Sequence, residues 1–143
     1  MPERAGTVLA FDYGDRYVGV AVGDEALGLA HPLDTIDTRD DAARMAAIAA
    51  RVAEWVPQRL VVGLPLSMDG TPHALTARAR AFAAALETRF GVPVALVDER
   101  LSSVDAQARL RDIGRGGRKH KGLAHPVSAQ VILQDYFDAH ATP

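Results

Sequence analysis

The stretch Thr7–Asp24, TVLAFDYGDRYVGVAVGD, contains two short apolar runs separated by Asp-Tyr-Gly-Asp. Apolar runs bounded by Gly and Asp are typical of strands joined by a turn. We therefore predict strands at Thr7–Phe11 and Tyr17–Val22. Asp12 follows the first strand directly, where a carboxylate needs solvent, a backbone cap or a cation as its partner.

Outward from this stretch, apolar runs and helical periodicity alternate along the chain. A third strand is predicted at Ala26–Ile36, at a sheet edge because Pro32 interrupts it. The further predicted elements are a helix stopped by Pro57, a strand at Leu60–Leu64, a helix from Thr71-Pro72 to Phe90, a strand at Val92–Val97, a helix from Ser102 to about Ile113, and a last helix beginning near His125-Pro126. The order β-β-β-α-β-α-β-α-α predicts an α/β fold, a mixed five-stranded sheet with helices on both faces.

Composition sets limits on the possible functions. The 143 residues, 48% hydrophobic and 24% charged, fit one globular domain over residues 1–143. The absence of cysteine excludes disulfides, iron–sulfur clusters and thiol catalysis, and favours a cytoplasmic protein. The N-terminus does not resemble a signal peptide, and no apolar stretch approaches the ~20 residues of a membrane helix. We expect no membrane partner.

The charge is unevenly distributed although the net value is only −2. The segment from Arg100 to Gly122 has seven basic and two acidic residues, which leaves a net −7 on the rest of the chain. Within it, Gly114–Gly122 (GRGGRKHKG) has no periodicity and is predicted to be a mobile basic loop. The segment fits a polyanion such as nucleic acid. A solvated polar loop is the alternative interpretation.

Acidic residues end two of the predicted strands, Asp12 on the first and Asp98-Glu99 on the last. Because ligands collect at the carboxyl ends of parallel strands, these acids are candidates for one site. Close carboxylates repel unless a divalent cation neutralises them, and Mg²⁺ accepts one or two carboxylates together with waters and phosphate oxygens. Alternatively, Asp12 is a turn residue bound to its own backbone, and Glu99 forms a surface pair with Arg100.

Four separated blocks carry a family resemblance: FDYGDRYVGVAVGD (Phe11–Asp24), VVGLPLSMDGT (Val61–Thr71), ARAFAAAL (Ala79–Leu86) and DERLSSVDA (Asp98–Ala106). They resemble the YqgF/RuvX family of pre-ribosomal-RNA nucleases and Holliday-junction-resolvase-like proteins. The resemblance implies an RNase H-like fold, a Mg²⁺ or Mn²⁺ centre and cleavage of RNA or branched DNA. It further implies trimming of the 5′ end of the small-subunit ribosomal RNA precursor.

The resemblance also assigns site residues. Asp12 matches the acid on the family's first strand, and Glu99 the acid of its D-E-R block, so both are expected to be catalytic metal ligands. Asp98 should point to the opposite face of a regular strand and is expected only to support the site. The family usually has Asp at the start of the last helix, where this chain has His125. His125 is expected to be the third ligand or a proton relay. As a nitrogen ligand, it would move the metal preference from Mg²⁺ toward Mn²⁺.

Basic side chains are the candidates for contact with the nucleic-acid backbone, and such binding should weaken as salt rises. These residues are Arg16, Arg100, Arg115, Arg118, Lys119 and Lys121. The loop Gly63–Thr71 leads from a strand end to a helix N-terminus, an arrangement suited to phosphate.

Three alternatives remain open from the sequence. Asp-x-Gly followed by Gly-Val also resembles a phosphate motif of actin-like ATPases and sugar kinases, which need two such domains. A binding module without catalysis would follow if His125 marks the loss of the third ligand. A junction resolvase would need two active sites and hence a symmetric dimer. The sequence does not choose between monomer and homodimer.

Overall fold

The computed structural model describes residues 6–65, 74–99 and 124–140. The predicted helix Ser102–Ile113, the basic loop Gly114–Gly122 and the predicted Thr71-Pro72 start of a helix lie outside these ranges. The elements are β1 (Thr7–Tyr13), β2 (Tyr17–Asp24), β3 (Leu29–Asp37), α1 (Asp41–Trp55), β4 (Arg59–Leu64), α2 (Ala74–Phe90), β5 (Val94–Asp98) and α3 (Ala124–Ala139).

The five strands form one mixed sheet in the order β3-β2-β1-β4-β5. β1, β2 and β3 pair antiparallel as a meander, whereas β4 lies parallel to both β1 and β5. Pro32 lies on the edge strand β3, beside a register shift between Val20 and Ala21. The predicted sheet and the edge position of the proline are therefore confirmed.

Side chains of β1 alternate between two hydrophobic layers. Leu9 and Phe11 pack in the layer that contains residues of α1 and α2, whereas Val8 and Ala10 pack in the layer formed by α3. Helices therefore cover both faces of the sheet, as the element order predicts. Because strand side chains alternate with a period of two, Asp12 belongs to the α3 face.

The ends of α1 follow from local chemistry. Asp40 is the N-cap, and its carboxylate accepts a 2.7 Å hydrogen bond from the Ala43 backbone N–H. Val56 adopts a left-handed conformation (φ 44°), and its N–H donates to the Val52 carbonyl. The helix therefore ends just before Pro57, as predicted. Within the described ranges, no helix is both long and apolar enough to cross a membrane.

Candidate active site

Two acidic side chains meet at the edge of the sheet where the parallel strands end. Asp12 is the penultimate residue of β1, and Glu99 is the first residue after β5. The Glu99 N–H donates to the Leu64 carbonyl at 3.2 Å, which extends the pairing of β4 and β5 by one step. The convergence expected of acids at the carboxyl ends of parallel strands is present.

Asp12 and Glu99 contact each other through a side-chain hydrogen bond. Burial raises the pKa of Asp12 to about 6, although hydrogen bonds from Glu99 and Ser128 act in the lowering direction. Burial, and then the negative charge of Asp12, raise the pKa of Glu99 to about 9. Near neutral pH the pair therefore holds one proton, which the two carboxyl groups share through their hydrogen bond.

Asp98 lies apart from this pair. It is the last residue of β5, opposite Leu64 in the register, and its side chain is exposed. Ala95 and Val97 pack against the α3 layer, so the alternation of the strand places Glu99 on that face and Asp98 on the other. This is the placement on the opposite face that strand alternation predicts for Asp98.

His125 lies near the pair, but its ring is engaged elsewhere. The imidazole stacks on Tyr17, with ring centroids 4.6 Å apart and planes inclined by 21°. Burial lowers the pKa of His125, opposed by the negative charge of Asp37, so the neutral ring predominates at neutral pH. Among the described residues, no group of three or more His, Asp or Glu side chains could hold a metal ion. The expected three-ligand set is not assembled in this arrangement.

The backbone of His125, in the first turn of α3, packs closely against Gly19 of β2. Gly19 pairs with Asp12 across β1 and β2. A Cβ on Gly19 would lie 3.1 Å from the Cα of His125 and would overlap its carbonyl group. Because Gly19 has no side chain, the first turn of α3 lies directly on β2, the strand next to Asp12.

Ser128 is a site residue that the sequence analysis missed. It is 6% exposed on the first turns of α3, and its hydroxyl donates a hydrogen bond to the Asp12 carboxylate. The only sequence signal was a small polar residue three positions after His125, between apolar neighbours. Such a serine usually bonds its own helix backbone, so that signal did not single it out.

Arg16 lies at the edge of the sheet where Asp12 and Glu99 meet, and its side chain contacts Asp37 and Tyr17. Its Nε is 2.8 Å from a carboxylate oxygen of Asp37, and its guanidinium carbon is 5.1 Å from the centre of the Tyr17 ring. The side chain remains 46% exposed. The other five predicted contacts (Arg100, Arg115, Arg118, Lys119 and Lys121) and most of the Gly63–Thr71 loop lie outside the described residues.

Comparison with solved structures shows the same fold in two proteins solved in complex with Holliday junctions. RuvC of Thermus thermophilus in complex with a Holliday junction substrate matches with a TM-score of 0.56 and 21% identity, over 93% of this chain and 94% of that one. The fowlpox virus resolvase, solved with Holliday junction DNA, matches with a TM-score of 0.56 and 8% identity over 95% and 99%. These likenesses confirm the RNase H-like architecture.

Sequence comparison is more specific. A protein of Methylobacillus flagellatus named "Putative pre-16S rRNA nuclease" is 52% identical over 99% of this chain and all of its own length. A protein of the same name from Dechloromonas aromatica is 51% identical over 96% of both chains. The family model described as "RuvX: Holliday junction resolvase" matches residues 6–139. The chain therefore belongs to the RuvX family, as its four sequence blocks predict.

Proposed function

We propose that this RuvX-family chain is a divalent-metal-dependent nuclease that hydrolyses phosphodiester bonds in the 5′ leader of the small-subunit ribosomal RNA precursor. The observation that carries the proposal is the Asp12–Glu99 pair at the carboxyl ends of parallel strands. The names of the relatives supply the substrate. Such a reaction takes place in the cytoplasm, which agrees with the expectation from composition.

The chemistry of the pair fits a hard divalent cation. Two carboxylates whose ionisation is opposed by burial and by each other gain most when a cation replaces the shared proton. Oxygen donors suit Mg²⁺ and Mn²⁺, and two carboxylates leave coordination positions for waters and for phosphate oxygens. Bound by Asp12 and Glu99, the cation would stabilise negative charge on the phosphate that undergoes cleavage.

The chain's own side chains have distinct tasks in this proposal. Ser128 orients the Asp12 carboxylate by its hydrogen bond, and Glu99 approaches from the opposite side across β4. If the His125 ring turned toward the pair, the neutral imidazole, whose pKa is lowered by burial, would accept the proton of the attacking water. If the imidazole instead turned away from Tyr17 to become a ligand, its nitrogen would favour Mn²⁺ over Mg²⁺.

Arg16 is the described candidate for contact with the substrate backbone. Its exposed guanidinium lies at the edge of the sheet where Asp12 and Glu99 meet, and a phosphate would compete with Asp37 for it. The five basic residues from Arg100 to Lys121 would extend this contact. We expect RNA binding to weaken as salt rises.

A four-way DNA junction is the second candidate substrate, because the family model is described as a Holliday junction resolvase. The test incubates purified protein with 5′-extended 16S RNA and with a four-way junction, each in Mg²⁺, Mn²⁺ and EDTA. We expect metal-dependent cleavage of the RNA. Faster cleavage of the junction, by a dimer, would support the resolvase instead.

Asp12→Asn should abolish cleavage and leave RNA affinity similar or higher, since repulsion of the backbone falls. Asp41→Asn is the matched control, because the Asp41 side chain is 97% exposed on α1. Full turnover by Asp12→Asn would refute its assignment, and binding without cleavage by the unmodified protein would support the non-catalytic alternative. His125→Asp should shift preference toward Mg²⁺ if His125 is a ligand and lower turnover in both metals if it accepts the proton.

A further inference from the structure

Glu99 reaches Asp12 across an intervening strand. The strand order places β4 between β1 and β5, so the Glu99 side chain must cross β4 to form its hydrogen bond with Asp12. The residue of β4 at this level is Gly63, which pairs with Val97 of β5. Val61 packs in the α3 layer, and strand alternation places Gly63 on that same face.

The space above Gly63 is filled by the Glu99 carboxyl group. A Cβ on Gly63 would lie 2.9 Å from the Cδ of Glu99 and would overlap its Oε2. The same Cβ would overlap the Cδ1 methyl of Ile132 from α3. The Oε2 atom is itself buried. The Glu99 carboxyl group therefore occupies the volume that the Cβ of any other residue at position 63 would fill.

Backbone conformation does not account for this glycine. The described glycines with positive φ are Gly6, Gly28 and Gly91, so Gly63 has a backbone that any residue adopts. Glycine inside a strand weakens it and often marks a close approach of another group. Here the approaching group is the Glu99 carboxyl.

We propose that Gly63 is a positioning residue of the nuclease, whose missing side chain forms the passage through which Glu99 reaches Asp12. The inference rests on the proposed function, because the carboxylate pair it creates is the proposed cation site. Its consequence is specific: a single methyl group at position 63 separates the two carboxylates without removing either of them.

The test compares Gly63→Ala with two matched variants. Gly63→Ala overlaps both Glu99 and Ile132, so it loses stability by overpacking as well as by displacement. Ile132→Val removes the Cδ1 methyl alone, and the double variant Gly63→Ala/Ile132→Val relieves the apolar overlap while the overlap with Glu99 remains. We expect the double variant to regain the part of the Tm that the overlap with Ile132 costs Gly63→Ala, and not the part that follows from displacing Glu99.

Two readouts separate positioning from packing. Mn²⁺ affinity, measured by calorimetry, should fall at least tenfold, about 1.4 kcal/mol, in both alanine variants and stay unchanged in Ile132→Val. In EDTA, the crystal structure of the double variant should show the Glu99 carboxyl group displaced from Asp12, whereas Ile132→Val should keep the hydrogen bond between them. This readout needs no metal, so it tests Gly63 even if the unmodified protein binds no Mn²⁺, which would refute the proposed function alone. A folded double variant that keeps the hydrogen bond between Glu99 and Asp12 would overturn the inference.

Discussion

Replacing Glu99 with glutamine should remove a pH dependence of stability that the metal-free protein otherwise has. Folding raises the pKa of Glu99 from 4.5 to about 9, first through burial and then through the charge of Asp12. The native chain therefore holds this proton more tightly than the unfolded chain. The stabilising contribution is complete below about pH 4.5 and is lost as the pH rises toward 9.

The magnitude follows from one proton. Between about pH 6, above which Asp12 is ionised, and about pH 9, the native state binds one more proton than the unfolded state, so the free energy of unfolding falls by about 1.4 kcal/mol per pH unit. From about pH 7 to about pH 8.5 the unmodified protein should lose about 2 kcal/mol relative to Glu99→Gln. Glutamine keeps the shape and can still donate to Asp12, but it has no proton to release.

The assay is urea unfolding in EDTA at several pH values in that range, with the free energy extrapolated for each variant. Asp98→Asn is the matched control: it removes the neighbouring exposed carboxyl group and should keep the slope, because Glu99 remains. Added Mg²⁺ or Mn²⁺ should flatten the slope of the unmodified protein, since binding to the native state strengthens as the carboxylates ionise. Parallel pH profiles for the unmodified protein and Glu99→Gln would refute the buried, proton-sharing pair.

Three further substitutions test the hydrogen bond of Ser128 at the site and the contacts that hold α1 and α3 to the sheet. Ser128→Ala removes the hydroxyl that donates to Asp12, so urea unfolding should show a loss of about 1–2 kcal/mol and cleavage assays a lower kcat. Ser128→Thr keeps a hydroxyl and should retain both the stability and the kcat. Equal kcat for the two variants would contradict a role of Ser128 in orienting Asp12. Arg51→Met removes the two hydrogen bonds, 2.7 and 3.0 Å, that tie α1 to Asp34 of β3, and urea unfolding should show a loss of about 1 kcal/mol with cleavage unchanged. Gln134→Ala removes the two hydrogen bonds, 2.8 and 3.0 Å, that tie α3 to the Gly28 carbonyl and to the N–H of Ala30 in β3. A loss of about 1–3 kcal/mol in the same assay is expected, and an unchanged midpoint would show that these hydrogen bonds do not stabilise the fold.

The sequence by itself determined the elements and their faces. The run of apolar residues in Thr7–Phe11, the proline in the edge strand and the helical spacing before Pro57 are local signals, and each is read within a few residues. Asp12 and Glu99 were predictable as candidates for the same reason, because a carboxylate at the end of an apolar strand is recognisable from the neighbouring residues alone. Period-two alternation along β5 is a property of the sequence, and it predicts that Asp98 and Glu99 lie on opposite faces of the sheet.

Tertiary structure alone decided how those acids meet. Sequence spacing does not give the strand order, so it could not reveal that β4 lies between β1 and β5. For the same reason it could not reveal that the Glu99 side chain passes over Gly63 to reach Asp12. The hydroxyl of Ser128 and the stacking of His125 on Tyr17 depend on how α3 docks, a contact between segments more than a hundred residues apart. Local propensity is set by neighbours in the chain, whereas a carboxylate's pKa and contacts are set by neighbours in space, which only packing supplies.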